Sequence, residues 1–155
     1  MSSCSAQGTR AKSVAVFSVC ISAVAMAVAP PAESATYTLQ QILNDPFPAA
    51  SDNFGSAAAL DGTRALIGAA GEGSNDVGAA FLYDTTTGAV LQTFSSPSPH
   101  AHDGFGNSVA LYGNKALIGA RKDDSAGTDV GQAYLFDTTT GALLHTFNDP
   151  HPNGR

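Results

Sequence analysis

The sequence predicts an all-β fold that contains two tandem copies of one four-stranded antiparallel unit. The segment "DNFGSAAALDGTRALIGAA" from Asp52 aligns with "DGFGNSVALYGNKALIGAR" from Asp103, an offset of 51 residues. The segment "DVGAAFLYDTTTGAVLQTF" from Asp76 aligns with "DVGQAYLFDTTTGALLHTF" from Asp129, an offset of 53 residues. The 16 glycines and many Ala and Thr residues favour short strands and tight turns over helices. Such self-similarity is typical of proteins that stack one supersecondary unit.

Each copy contains four short segments with strand character, separated by turn residues. In the first copy we predict strands at Ser56–Leu60, Arg64–Ala69, Gly78–Asp84 and Val90–Phe94. The pair Asp61-Gly62, matched by Gly113-Asn114 in the second copy, predicts a hairpin turn between the first two strands. The segment "DTTTG", which follows each third strand, predicts a tight loop that ends on a glycine.

The predicted strands carry apolar side chains on both faces. In the third strand Ala80 and Leu82 point one way, while Ala79, Phe81 and Tyr83 point the other. A sheet with one solvated face would alternate apolar and polar residues, so each sheet is expected to be covered on both faces. The first strands are made of small residues, which fit the crowded central axis of a radial arrangement of sheets. The fourth strands are more polar, which suits the solvated outer rim of that arrangement. These features predict radially arranged β-propeller blades.

The first 35 residues differ from the rest of the chain. Arg10 and Lys12 precede an apolar stretch, 13–29, and the small residues of "PPAESA" follow it. This order predicts a signal-peptide helix cleaved near Ser34 or Ala35, and hence a secreted, periplasmic or cell-surface protein. The alternative is an uncleaved membrane anchor. The predicted organisation is a signal peptide at 1–35, an N-terminal strand and linker at 36–51, blade one at 52–102, and blade two with a C-terminal tail at 103–155.

Charge and cysteine content exclude several classes of partner and of stabilisation. The chain has 13 acidic and 7 basic side chains, a formal net charge of −6. Binding to nucleic acid or to an anionic membrane surface requires clustered Lys and Arg, so neither is expected. Any membrane contact would come only through an uncleaved signal segment. Cys4 and Cys20 both lie in that segment, so the mature chain is expected to have no disulfide.

Two blades do not close a ring, and repeat units of this kind bury their faces only against neighbours. The segment "YTLQQIL" from Tyr37 aligns with a fourth strand, which predicts an extra N-terminal strand beside the two blades. We therefore expect either self-association or additional blades, with the chain being an assembling unit or the truncated product of a longer propeller.

The pairs Phe54-Gly55 and Phe105-Gly106, followed by "GAA" and "GAR", resemble the FG-GAP repeat. That family forms the propeller of integrin α chains and occurs in many exported bacterial proteins. The proline of the family's GAP motif is replaced by Ala70 in one copy and by Arg121 in the other. The calcium-binding loop of integrin-type blades is missing between the first two strands, so calcium binding there is not expected.

Several polar clusters invite a functional interpretation. Asp123, Asp124 and Asp129 form an acidic loop, but the first copy offers only Glu72 and Asp76 there, which favours a solvated loop. His100 and His102, with Asp103 beside them, have a spacing that could suit a metal if they lie on a strand, yet they precede the blade in a Pro-rich linker and no third ligand is evident. Asp84 and Asp137 each open a "DTTTG" loop, where a carboxylate can accept bonds from backbone N–H groups.

No serine nucleophile motif is present. We therefore assign no catalytic, cofactor-binding or metal-binding residue and expect no cofactor. The predicted function is an exported propeller module that serves as a binding or structural scaffold and not as an enzyme. Protein and carbohydrate are the expected partners. The alternatives are a fragment of a propeller enzyme, of the glycan-hydrolase or quinoprotein type, and a non-functional truncated product.

Overall fold

The computed structural model describes residues 39–127 and 129–150, and within these ranges the chain contains eight strands and no helix. The predicted signal peptide and both cysteines lie outside this part, in which no helix could span a membrane. Sheet 1 contains β1 (Phe54–Asp61), β2 (Arg64–Ala69), β3 (Ala79–Asp84) and β4 (Val90–Ser95). Sheet 2 contains β5 (Phe105–Tyr112), β6 (Lys115–Ala120), β7 (Gln132–Asp137) and β8 (Leu143–Asn148).

Each sheet is an antiparallel meander in which neighbouring strands are consecutive in sequence, as the repeat predicts. The first hairpin turn lies one residue later than predicted, because Asp61 pairs with Arg64 and leaves Gly62 and Thr63 as the loop. Gly62 has a φ of 60°, whereas Thr63 is not among the residues with positive φ. A positive φ at the first loop residue alone is the pattern of a type II′ turn, which needs glycine only there.

The first strand of sheet 1 begins earlier than predicted, at the Phe-Gly pair, and β5 begins at the equivalent pair. The register between β1 and β2 shifts between Phe54 and Ala57, and β5 has the same irregularity between Phe105 and Ser108. Gly55 and Gly106 lie in these irregularities. A β-bulge of this kind accommodates an extra residue and bends the strand.

The "DTTTG" loops have the predicted structural role. Asp84 accepts hydrogen bonds from the backbone N–H groups of Thr86 (2.7 Å) and Thr87 (3.0 Å), and Asp137 repeats the arrangement. These bonds favour the ionised carboxylate and lower the pKa of both aspartates. Both side chains are therefore engaged in holding their own loops.

The two sheets pack face to face through one apolar layer. β5 lies against β1 and β2, so the small-residue first strands are close together. The rings of Phe94 in sheet 1 and Phe136 in sheet 2 have centroids 5.1 Å apart. The buried members of this layer are Leu66, Ala80, Leu82, Phe94, Phe105, Leu111, Ala116, Ile118, Ala120, Tyr134 and Phe136.

The opposite face of sheet 1 is also buried, as the two-sided strands predict. Its members are Ala65, Ala69, Ala79, Phe81 and Tyr83. Leu43 packs against them, and the Phe47 ring lies 6.4 Å from that of Phe81. The Tyr83 hydroxyl donates a 2.7 Å hydrogen bond to the Asn44 carbonyl.

The predicted extra N-terminal strand is wrong for its described residues, 39–43, which lie in no strand. Leu43, at the end of this segment, and Phe47, just after it, contact the face of sheet 1. A strand needs the edge of another strand to pair with. Since the contacts of this segment are with a sheet face, its backbone has no ladder to join.

Candidate functional site

The junction between the sheets depends on glycines that allow close backbone approach. A Cβ atom on Gly68 would overlap the Gly106 carbonyl oxygen, and one on Gly106 would overlap the Ala79 carbonyl oxygen. Gly78 forms an isolated parallel bridge with Phe105. The FG pair of the second copy therefore holds its sheet directly against the first.

Arg64 joins the sheets at the other end of these strands, a role that the sequence analysis did not assign to it. Its guanidinium donates to the Gly113 carbonyl (2.6 Å), to the Thr138 hydroxyl (3.2 Å) and to Asp61 (3.0 Å). Asp61 in turn accepts from the Gly113 backbone N–H at 2.8 Å. Lys115 and Tyr112 occupy the positions of Arg64 and Asp61 in the second copy, so this clamp is not repeated there.

A polar cavity of about 260 Å³ lies between the β2–β3 loop and the segment that leads into β5. His102 links the two, since its Nδ1 lies 3.2 Å from Asp76 Oδ2 and its backbone N–H donates to Asn75. Asn75, Asp76 and His102 all have positive φ values. Such strained residues concentrate at binding sites. The cavity is lined by Asn53, Ala70, Gly71, Asp76, His102, Gly104, Asn107, Arg121 and Lys122.

Three predicted candidates meet in a second cluster. Each of His100, Asp103 and Asp123 offers one possible ligand atom, and these three atoms lie within 4.8 Å of one another. Asp103 and Asp123 are fully buried, whereas the His100 side chain is 47% exposed. The third ligand that the sequence did not reveal is therefore Asp123, which lies beyond β6. His102 does not join this cluster, because it pairs with Asp76.

Hydrogen bonds fix the two buried carboxylates. Asp123 accepts from the Tyr134 hydroxyl and from the Ser125 backbone N–H, and Asp103 Oδ2 accepts from the His100 backbone N–H at 2.7 Å. Asp103 Oδ1 is buried and has no hydrogen-bond partner within the part of the chain that the structure describes. Burial raises the pKa of the Asp103 carboxyl, the His100 N–H opposes this, and the Asp123 carboxylate adds to it.

The first copy contains an equivalent pair, so the interpretation of a solvated, unrepeated loop is wrong for Asp123. Asp52 corresponds to Asp103 and Glu72 to Asp123, both at the offset of 51. Asp45, Asp52 and Glu72 also form a cluster of possible ligands. Burial, followed by the charges of Asp52 and Asp45, raises the pKa of Glu72, and its buried Oε2 has no partner among the described residues. A pair of acids at this place, with the first of them buried, is therefore a property of both repeats.

The other acidic residues of the long loop lie apart from this cluster. Asp124 accepts a 2.6 Å hydrogen bond from the Asp129 backbone N–H, and the side chains of both residues are exposed. They hold the loop in shape, so the solvated-loop interpretation holds for these two.

The outer face of sheet 2 repeats the residues that sheet 1 buries in the junction. Leu117 is 38% exposed, whereas its equivalent Leu66 is 0% exposed. Phe147 is 47% exposed, whereas its equivalent Phe94 is 2% exposed. Shallow apolar depressions on this face are lined by Ala110, Leu117, Ala133 and Leu135, among others. The outer face of sheet 2 thus carries the apolar residues that form the junction in sheet 1, but here they are exposed.

The family model of the FG-GAP repeat matches residues 37–83 and 93–136, more than half of the chain. Each match begins before the first strand of a sheet and ends within its third strand. No curated protein matches significantly.

Solved structures with similar coordinates include Sqt1 from Saccharomyces cerevisiae (15% identity, TM-score 0.43), the computationally designed Ika4 protein (18%, 0.45) and BamB from Moraxella catarrhalis (18%, 0.42). The alignments cover 60%, 71% and 64% of this chain. They cover 20%, 59% and 25% of those proteins, so the chain spans less than two thirds of each.

Proposed function

Because the chain belongs to the FG-GAP repeat family, we propose that it is an exported β-propeller module that serves as a binding scaffold and accepts a further blade on the open face of sheet 2. The proposal rests chiefly on one observation. Leu117 and Phe147 occupy the positions of Leu66 and Phe94, which are buried where a neighbouring sheet is present. The outer face of sheet 2 therefore carries the same apolar surface as an existing junction.

The contacts within the molecule support the kind of neighbour that we propose. Sheet 1 presents Leu66, Leu82 and Phe94 to an aromatic face of sheet 2 that contains Tyr134 and Phe136. Burial of apolar area is worth roughly 25 cal/mol per Å², so an uncovered face of this composition favours association. A second blade of the same family would supply the matching aromatic face.

The scaffold function places ligands in the loops and not on the sheet faces. The polar cavity beside His102 offers Arg121, Lys122, Asn53 and Asn107 as hydrogen-bond groups next to strained backbone. These groups suit a polar partner, such as a protein loop or a carbohydrate. Export remains an expectation from the basic, apolar and small-residue order of the first 35 residues.

Sedimentation of the purified chain over a range of concentrations tests the blade-docking part of this proposal. We expect the native chain to associate, and Leu117→Lys to shift it towards monomer, because a lysine ammonium would be buried in the new junction. Leu91→Lys is the matched control, since Leu91 is 48% exposed on an edge strand of sheet 1. A folded native monomer at low and high concentration would contradict the proposal.

A further inference from the structure

The cluster of His100, Asp103 and Asp123 has unbalanced charge and an unused ligand atom. Two carboxylates are fully buried with an oxygen atom of each within 4.8 Å of the other, and Asp103 Oδ1 accepts no hydrogen bond from any described residue. Buried carboxylates are normally paired, protonated or bound to a metal, because isolated buried charge is costly. No Lys or Arg forms an ion pair with either aspartate in the described part of the chain. A cation at this point would satisfy both carboxylates.

The geometry points to a zinc-type divalent metal site formed by His100, Asp103 and Asp123, at the place where the second repeat enters its first strand. An imidazole nitrogen and two carboxylate oxygens are ligands that zinc accepts. Calcium instead takes six to eight oxygens, which this set cannot provide. The three protein ligands would leave one tetrahedral position for water.

The separation between the histidine and one aspartate is close to that of a formed zinc site. Zinc bonds of about 2.0–2.2 Å in a tetrahedral arrangement place ligand atoms roughly 3.3–3.6 Å apart. His100 Nδ1 already lies 3.8 Å from Asp103 Oδ2. The half-exposed His100 side chain is the least enclosed member of the cluster, so rotation of its ring can shorten its own distances to the two carboxylates.

Hydrogen bonds from neighbouring groups fix the orientation of both carboxylates, as is usual for carboxylates that bind a metal. Tyr134 and the Ser125 N–H donate to Asp123, and the His100 N–H donates to Asp103. Such bonds orient ligating carboxylates before a metal arrives. The half-exposed imidazole also gives an ion a path from solvent to two residues that are otherwise buried.

Isothermal titration of the chelator-treated protein with Zn²⁺ tests this site. We expect binding that raises the thermal unfolding midpoint, because a ligand that prefers the folded state stabilises it. His100→Ala should weaken zinc binding by at least about tenfold, since even outer-shell changes weaken metal sites by 10–100-fold. Asp103→Asn, which keeps the side-chain shape, should weaken it by a similar or larger factor.

His102→Ala is the matched control, because His102 is an exposed histidine two residues away that contacts Asp76 instead. Its zinc affinity should equal that of the native chain. If the native chain binds no zinc, the inference is overturned. It is also overturned if His100→Ala binds as tightly as the native chain, or if His102→Ala weakens binding as much as His100→Ala. If Asp103→Asn does not fold, the two histidine variants still decide between these results.

Discussion

Replacing Gly106 with Ala is expected to destabilise the protein far more than replacing Gly55 with Ala. The two glycines are equivalent in the repeat and have φ values of 88° and 86°. A Cβ on Gly106 would overlap the backbone oxygen of Ala79 in the neighbouring sheet, whereas nothing lies within 4 Å of a Cβ on Gly55. Both alanine variants carry the cost of the left-handed backbone conformation, but only the Gly106 variant also carries the cost of a clash between the two sheets.

The conformational cost is common to both variants, at about 1–2 kcal/mol for a left-handed residue with a side chain. Forcing the sheets apart adds roughly 1–3 kcal/mol, the usual cost of an overpacked interior. Urea unfolding followed by circular dichroism measures both free energies of unfolding. Equal losses of stability in the two variants would show that Gly106 does not lie against sheet 1.

Phe94→Ala should be the second large effect, and Phe147→Ala is its matched control. Phe94 is 2% exposed and packs against Phe136, so its truncation should cost about 3–5 kcal/mol of the free energy of unfolding. Phe147 is the equivalent residue of the second repeat but is 47% exposed and contacts the His145 ring. Its truncation should cost much less when the chain is monomeric.

The same urea titration, run at a concentration where sedimentation shows a monomer, gives the comparison. Equal losses of unfolding free energy in the two variants of a monomeric chain would mean that the outer face of sheet 2 is covered within one chain, as the junction face of sheet 1 is. That result would remove the open face on which the proposed blade docking depends.

The sequence was sufficient for the four strands of each repeat, their order and the burial of both faces of sheet 1, because these depend on local patterns. Alternation in β3 predicted that Leu82 and Phe81 lie on opposite faces, and they belong to opposite apolar layers. The repeat also predicted that both sheets would have the same topology. Gly62 shows the limit of such patterns, since the turn register was displaced by one residue.

The features that were missed depend on contacts distant in sequence. Arg64 reaches Gly113 and Thr138 in the next repeat, which no local pattern reveals. The acid cluster was missed because Asp103 and Asp123 are separated by a hairpin. A usable signal was present, since acids recur at the offset of 51 in Asp52 and Glu72. The strand predicted for the segment "YTLQQIL" from Tyr37 rested on alignment alone, which does not show whether a pairing edge is available.

A double-mutant cycle between Phe94 and Phe136 tests most directly whether consecutive repeats pack face to face. Their ring centroids are 5.1 Å apart across the junction. Aromatic pairs in contact are coupled by about 0.5–1.5 kcal/mol beyond the area they bury. We predict that the loss of stability in the double alanine variant is smaller than the sum of the losses in the two single variants, by about 0.5–1.5 kcal/mol. Strictly additive losses would contradict the packing of sheet 1 against sheet 2.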